Sequence, residues 1–155
     1  MTEAEKLFDE YSRIQNNIRG LQLELDKAED DRDKEYERAL RCSHFTSTIG
    51  KTLYDDTGRS GDPVGNIVVQ ICDLFASRVL NVYIRLEAEL AKEKQIQDII
   101  EKAELNSMEM EYVRLRLERG KKAWKAAAQK LNYSESRVFD FRRSALNKIE
   151  RVLEL

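Results

Sequence analysis

One proline and six glycines in 155 residues leave the chain almost without breakers. Sandwiches and α/β enzymes need frequent tight turns, and turns are built largely from these residues, so both classes are disfavoured. Cysteine is also scarce. Cys42 and Cys72 stand thirty positions apart with a lone His44 and no Cys-x-x-Cys spacing, which indicates neither a disulfide framework nor a zinc site. Reduced cytosolic thiols are expected, and no metal and no cofactor. No apolar run approaches the roughly 20 residues of a membrane span. The opening "MTEAEKLFDEYSR" has no apolar core of signal-peptide length. The expectation is a soluble, cytoplasmic chain with no membrane partner. A Gly-rich phosphate cradle and paired metal ligands are missing too, and the carboxylates fit solvated helix faces, so neither an enzyme nor a small-molecule substrate is expected.

What is abundant is charge. Charged residues make up 36% of the chain, the composition of long solvent-facing helices, and the expected fold class is all-α. The formal net charge is −2, unevenly spread. Between Arg119 and Arg151 ten Lys/Arg (Arg119, Lys121, Lys122, Lys125, Lys130, Arg137, Arg142, Arg143, Lys148, Arg151) face three acids (Glu135, Asp140, Glu150). A basic module joined to an acidic remainder is the electrostatic pattern of a nucleic-acid binder.

Three segments follow along the chain. The first, Thr2 to about Arg41, opens with Thr2 and Glu5 spaced as a capping box. Leu7, Tyr11, Ile14, Ile18, Leu21, Leu25 and Ala28 then alternate steps of four and three, with Arg32 and Glu35 at the next seam positions. Such a heptad seam needs a partner helix. The second segment, 42–61, is rich in Thr, Ser, Gly and Asp and reads as a long loop with a partly docked apolar centre at Phe45, Ile49, Leu53 and Tyr54. A long helix is then expected from Asp62 as N-cap and Pro63 as first residue to about Glu104. Its apolar series is Val64, Val68, Ile71, Phe75, Val82, Leu86, Leu90, Ile96 and Ile100. Cys72 beside Ile71 reads as a small core residue. Residues 1–104 thus predict a helical hairpin or coiled-coil stalk that self-associates into a homo-oligomer, because its apolar faces exceed what one hairpin covers.

The third segment, 105–155, begins at Asn106 with Glu109 three residues on. It divides into helices over about 107–119, stopped by Gly120, 122–131, and 134–154 with Ser134 as N-cap. In the last helix Val138, Phe141, Ala145, Ile149 and Val152 recur at steps of 3, 4, 4 and 3, one narrow stripe at about 100° per residue. Ser136, Asp140, Arg143, Asn147 and Arg151 lie on the opposite stripe. Two short helices joined by the turn "NYS", the second basic on its outer face, describe a helix-turn-helix in a C-terminal three-helix bundle.

On these residues the segment "AAQKLNYSESRVFDFRRSALNKIERV" resembles the DNA-binding region 4 of bacterial sigma factors. The matching positions are Ala127, Ala128, Leu131, Ser134, Arg137, Val138, Phe141, Ala145, Leu146, Lys148 and Ile149. Ala127 stands where that family usually has Ile or Val, with Trp124 spaced to fill the gap. Together with "GDPVGNIVVQICDL" and a long helix upstream, the chain is similar to small regulators of Gram-positive phages and prophages, among them sigma-like late-gene activators and the autolysin-regulatory group. The resemblance implies a transcription regulator that binds double-stranded promoter DNA and acts on host RNA polymerase. Helix-turn-helix docking, with the buried stripe fixing orientation, gives base contacts to Ser136, Phe139, Asp140 and Arg143 and phosphate contacts to Lys121, Lys122, Lys125, Arg137 and Arg142. Glu135, Ser136, Phe139 and Asp140 depart from the residues common at the sigma reading face, so the sequence recognised need not be a host −35 element. The alternatives are a helical protein that grips polymerase or another protein without reading DNA, and a small-terminase-like packaging protein.

Overall fold

The computed structural model describes residues 1–53 and 63–155, with side chains left out at 42–53, 63–65, 67, 68 and 71. Its elements are α1 (Glu3–Leu53), α2 (Pro63–Lys102), α3 (Ser107–Arg119), a 3₁₀ turn (Gly120–Lys122), α4 (Ala123–Leu131) and α5 (Glu135–Leu153). No strand occurs among the described residues, and the fold is all-α. None of these helices is long and apolar enough to cross a membrane.

The helix starts follow from local chemistry. Thr2 Oγ1 accepts the Glu5 N–H at 3.2 Å while the Thr2 N–H donates to Glu5 at 3.3 Å. Asn106 and Glu109 make the same reciprocal pair at 2.8 and 2.9 Å, and Ser134 Oγ accepts the Arg137 N–H at 3.3 Å. Each satisfies donors that a helix N-terminus leaves unpaired. Gly120 ends α3 at φ 75°, a conformation that L side chains rarely adopt. Asn132 ends α4 in the left-handed region, where Asn is tolerated better than most residues.

The loop expected over 42–61 is not a loop in its first part: the backbone of 42–53 continues α1. Thr and Ser lower helix propensity only by tenths of a kcal/mol, roughly, and the stretch holds one glycine and no proline to stop the helix. The remainder of that loop, and the Asp62 N-cap, lie outside the described residues. So do the side chains of Val64, Val68 and Ile71.

The described contacts form two compact units, residues 1–19 with 87–155 and residues 20–86. This grouping differs from a boundary at 104/105, because the first turns of α1 belong with α3–α5. In the unit of residues 20–86, Leu21, Ala28 and Ala39 of α1 and Val82 and Leu86 of α2 are buried, and Cys72 is half-buried. Arg85 reaches Glu24 and Arg78 reaches Asp31, both at 3.4 Å, so α1 and α2 run antiparallel there. Outside this seam, Val69, Leu74, Leu80, Tyr83 and Ile84 are exposed.

In the other unit, Ile14 and Ile18 of α1, Ile96 and Ile100 of α2, and Ala103 just after it are buried. Leu90, expected on the covered face, is exposed instead. From Val82 to Leu86 to Leu90 are two successive steps of four, and each turns the residue further round the helix; the covered positions are Glu89 and Glu93. Both carboxylates are answered from α1. Asn17 donates to Glu89 at 3.3 Å, and Tyr11 Oη, at 3.1 Å, and Gln15 donate to Glu93.

Helices α3, α4 and α5 pack pairwise. Val138, Ala145 and Ile149 are fully buried, against Tyr112, Val113, Leu115, Ala123 and Ala127 of the same core. Phe141 and Val152 complete the α5 stripe half-buried. The start of α1 joins them: Ala4 is fully buried and Phe8 nearly so, the Ala4 N–H donates to Glu150 at 2.7 Å, and the Arg116 guanidinium lies 5.7 Å from the Phe8 ring centre. Phe8→Ala is therefore expected to destabilise this unit by about 3–5 kcal/mol, the usual cost of truncating a buried aromatic. The single tryptophan, Trp124, makes a convenient reporter. A urea transition followed by its fluorescence should shift to lower urea in Phe8→Ala, and an unmoved transition would mean that the bundle stands without α1.

Candidate nucleic-acid interface

Six of the nine residues assigned to DNA lie on the first half of α5. Ser136, Arg137, Phe139 and Asp140 are exposed, as is Arg143 one turn further on; Arg142, between the last two, is half-buried. The whole outer stripe, Ser136, Asp140, Arg143, Asn147 and Arg151, faces solvent. Lys121 and Lys122 sit in the 3₁₀ turn and Lys125 in the first turn of α4, all exposed.

Ion pairing divides the cations. Lys121 meets Asp9 at 3.2 Å, and Arg142 is bonded to Glu5. Lys122, Lys125, Arg137 and Arg143 make no ion pair among the described residues. Their charge is open to a ligand, whereas Lys121 and Arg142 are partly neutralised from α1. Both acids respond to their partners: the hydrogen bond from Arg142 chiefly holds the Glu5 carboxyl below its usual range, and that from Arg116 does the same for Asp9.

An aromatic cluster, unmarked by any helical spacing because it joins two elements, occupies the same surface. Trp124 of α4 and Phe139 of α5 lie 5.5 Å apart between ring centres with planes tilted by 32°. Lys125 Nζ is 5.2 Å from the Trp124 ring and the Arg142 guanidinium 6.0 Å from Phe139. Trp124 is thus partly given to an exposed neighbour, while Ala127 is itself fully buried. A second pair joins the turn to α5: Tyr133 meets Phe141 edge-on at 5.5 Å, and the Arg137 guanidinium lies 5.7 Å from the Phe141 ring centre.

The orientation of α5 is set from below by Glu109. Only 2% exposed, its carboxylate accepts from Ser144 Oγ at 2.5 Å, from Lys148 Nζ at 2.7 Å and from the Asn106 N–H at 2.9 Å. One side chain therefore caps α3 and grips α5. Burial pushes its carboxyl up, but the bonds from Lys148, Ser144 and Asn106 outweigh it and hold the group below its ordinary range. On the opposite flank, Arg114 and Lys130 bring Glu111 down to about 2, with Lys130 of α4 reaching Glu111 of α3 at 2.6 Å.

No protein-family model, no curated protein and no solved structure matches this chain.

A carboxyl whose folded pKa is depressed contributes stability above its ordinary range and loses it as the pH falls through the lowered value. Glu109→Gln should therefore lower stability at pH 7 by roughly 1–3 kcal/mol, leaving Lys148 without its charged partner. It should also flatten the acid limb that opens as the pH falls through the ordinary glutamate range, about 4.3, and closes once the lowered native value is passed. Urea midpoints measured across that range check both effects; parallel pH curves for the two proteins would show that Glu109 does not carry the acid sensitivity.

Proposed function

We propose that the chain is a phage or prophage sigma-like transcription regulator that binds double-stranded promoter DNA through α4, the turn and α5, and acts on host RNA polymerase. The observation that carries this reading is the set of unpaired cations, Lys122, Lys125, Arg137 and Arg143, around an exposed helix half that also offers Ser136, Phe139 and Asp140. The chain joining α4 to α5 is three residues long, 132–134, with a left-handed residue at the first, a connection short enough to suit a helix-turn-helix. In that docking the start of the second helix meets base edges in the major groove and the preceding elements meet phosphates. Arg143 can donate in bidentate fashion to guanine O6 and N7, and Asp140 can accept from cytosine N4.

The cations should separate in a binding experiment. Arg143→Ala should cost roughly 1–3 kcal/mol on the preferred duplex and little on random DNA, whereas Lys122→Ala should weaken both alike and lower the salt slope by about one. Lys121→Ala and Arg142→Ala should lose less than Lys122→Ala, since Asp9 and Glu5 already hold these two cations and each would have to give up its carboxylate to meet a phosphate. Fluorescence anisotropy over a salt series measures all four. If Arg143→Ala and Lys122→Ala are both silent in folded protein, the surface grips a protein instead of DNA.

Self-association belongs to the same reading. Val69, Leu80 and Tyr83 lie at heptad positions on the exposed side of α2, with Ile84 beside them, and the partner that fits an uncovered heptad row is another such row. A second copy of the chain brings the identical row, and pairs half-sites as helix-turn-helix dimers do. Light scattering should show a dimer or higher oligomer at micromolar concentration, and Leu80→Glu with Ile84→Glu should shift it to monomer. A native protein already monomeric there would remove self-association from the reading.

A further inference from the structure

The Trp124–Phe139 pair is not explained by packing. Phe139 is 40% exposed and falls on the outer half of α5, yet its ring has two close neighbours, Trp124 at 5.5 Å and the Arg142 guanidinium at 6.0 Å. Arg142 is in turn tied to Glu5. A side chain needed only to cover the core would point inward, as Val138 and Phe141 do. One needed only to cover solvent would not be fixed by a second aromatic and a tethered arginine. The result is a small rigid apolar surface framed by polar groups: Ser136 one turn before it, Asp140 next to it, Arg143 one turn after it, and Lys125 above its stacking partner.

Resting on the DNA-binding reading, we propose that Phe139, braced by Trp124, seats the 5-methyl group of a thymine in the major groove and makes the chain discriminate thymine from the other bases at that position. Two features favour a methyl group over a stacked, unpaired base. Stacking needs a whole ring face laid open, and Trp124 and Arg142 crowd the Phe139 ring at 5.5 and 6.0 Å. A methyl group needs only a few square ångströms of fixed apolar surface, and thymine alone presents one in the major groove, next to the O4 acceptor. The neighbouring residues suit the same geometry. Ser136 and Arg143, one turn to either side along α5, fall within reach of adjacent base pairs, so the apolar contact sits inside a row of hydrogen-bonding groups.

The test uses the full chain and the duplex it selects from a random pool. Each thymine of that duplex is replaced singly by deoxyuridine, which removes the methyl group and leaves the hydrogen-bonding edge intact. At one or two positions uracil should weaken binding about fourfold, the effect of one buried methyl group. Phe139→Ala should abolish the thymine–uracil difference at those positions, while Phe139→Leu should keep it; circular dichroism confirms that α5 stays helical in both. Equal binding at every substituted position overturns the proposal, and so does a difference that persists in Phe139→Ala. Single strands bound more tightly than the duplex would make the rings a stacking platform, which also overturns it. In each of these cases duplex or nucleic-acid binding itself survives, whereas a protein that selects no duplex at all overturns the DNA-binding reading together with this one.

Discussion

Burying a carboxylate is costly unless its oxygens are hydrogen-bonded, and the terminal module is built around one whose two oxygens accept three bonds. Glu109 does two jobs that are usually separate, closing the N-terminus of α3 through Asn106 and holding α5 through Ser144 and Lys148. Because hydrogen bonds to a charged group are short and directional, they fix the rotation of α5 about its own axis as well as its distance. The apolar stripe of Val138, Ala145 and Ile149 alone would tolerate some roll. With the ion in place the outer stripe from Ser136 to Arg151 faces one direction, which a surface that reads bases requires.

The second constraint comes from the far end of the sequence. Glu5, Asp9 and the buried Ala4 and Phe8 attach the beginning of α1 to α3 and α5. Charge explains the attachment. The terminal segment carries an excess of cations and the beginning of the chain an excess of acids, so the two ends attract one another and apolar contact consolidates the approach. This attraction is drawn from the same basic surface that would attract phosphate, which leaves Lys122, Lys125, Arg137 and Arg143 as the unshared part of it.

Much of this was legible residue by residue. The capping pairs Thr2–Glu5 and Asn106–Glu109, the N-cap at Ser134, the stop at Gly120 and the α5 stripe all depend on neighbours three or four positions apart, and local spacing reveals them. The failures share a different cause. Leu90 was assigned to the covered face because it is apolar, but the phase of the helix puts Glu89 and Glu93 there, and their partners Tyr11, Gln15 and Asn17 are some seventy to eighty residues away. The helical backbone of 42–53 was hidden by a composition that only weakly disfavours helix. Glu109 was legible as a cap and not as an ion-pair centre, and Trp124 as a core residue and not as the support of Phe139, since Lys148 and Phe139 come from another helix. Of the candidate interface, the exposure of α5 was readable; which cations are shared with acids was not.

The bond from the Ala4 amide to Glu150 spans 146 positions of chain, and this separation bears on how the protein comes into being on the ribosome. At roughly 5–20 residues per second, α1 waits for something like 7–30 s before its acceptor has been synthesised. During that interval Phe8 and Ala4 have no cover, and the surface of α1 that ends in the bundle is free to find other apolar chains. A protein assembled this way cannot complete its basic module domain by domain from the N-terminus. Because α5 supplies that acceptor, a nascent chain that stops short of it lacks the burial that covers the first turns of α1.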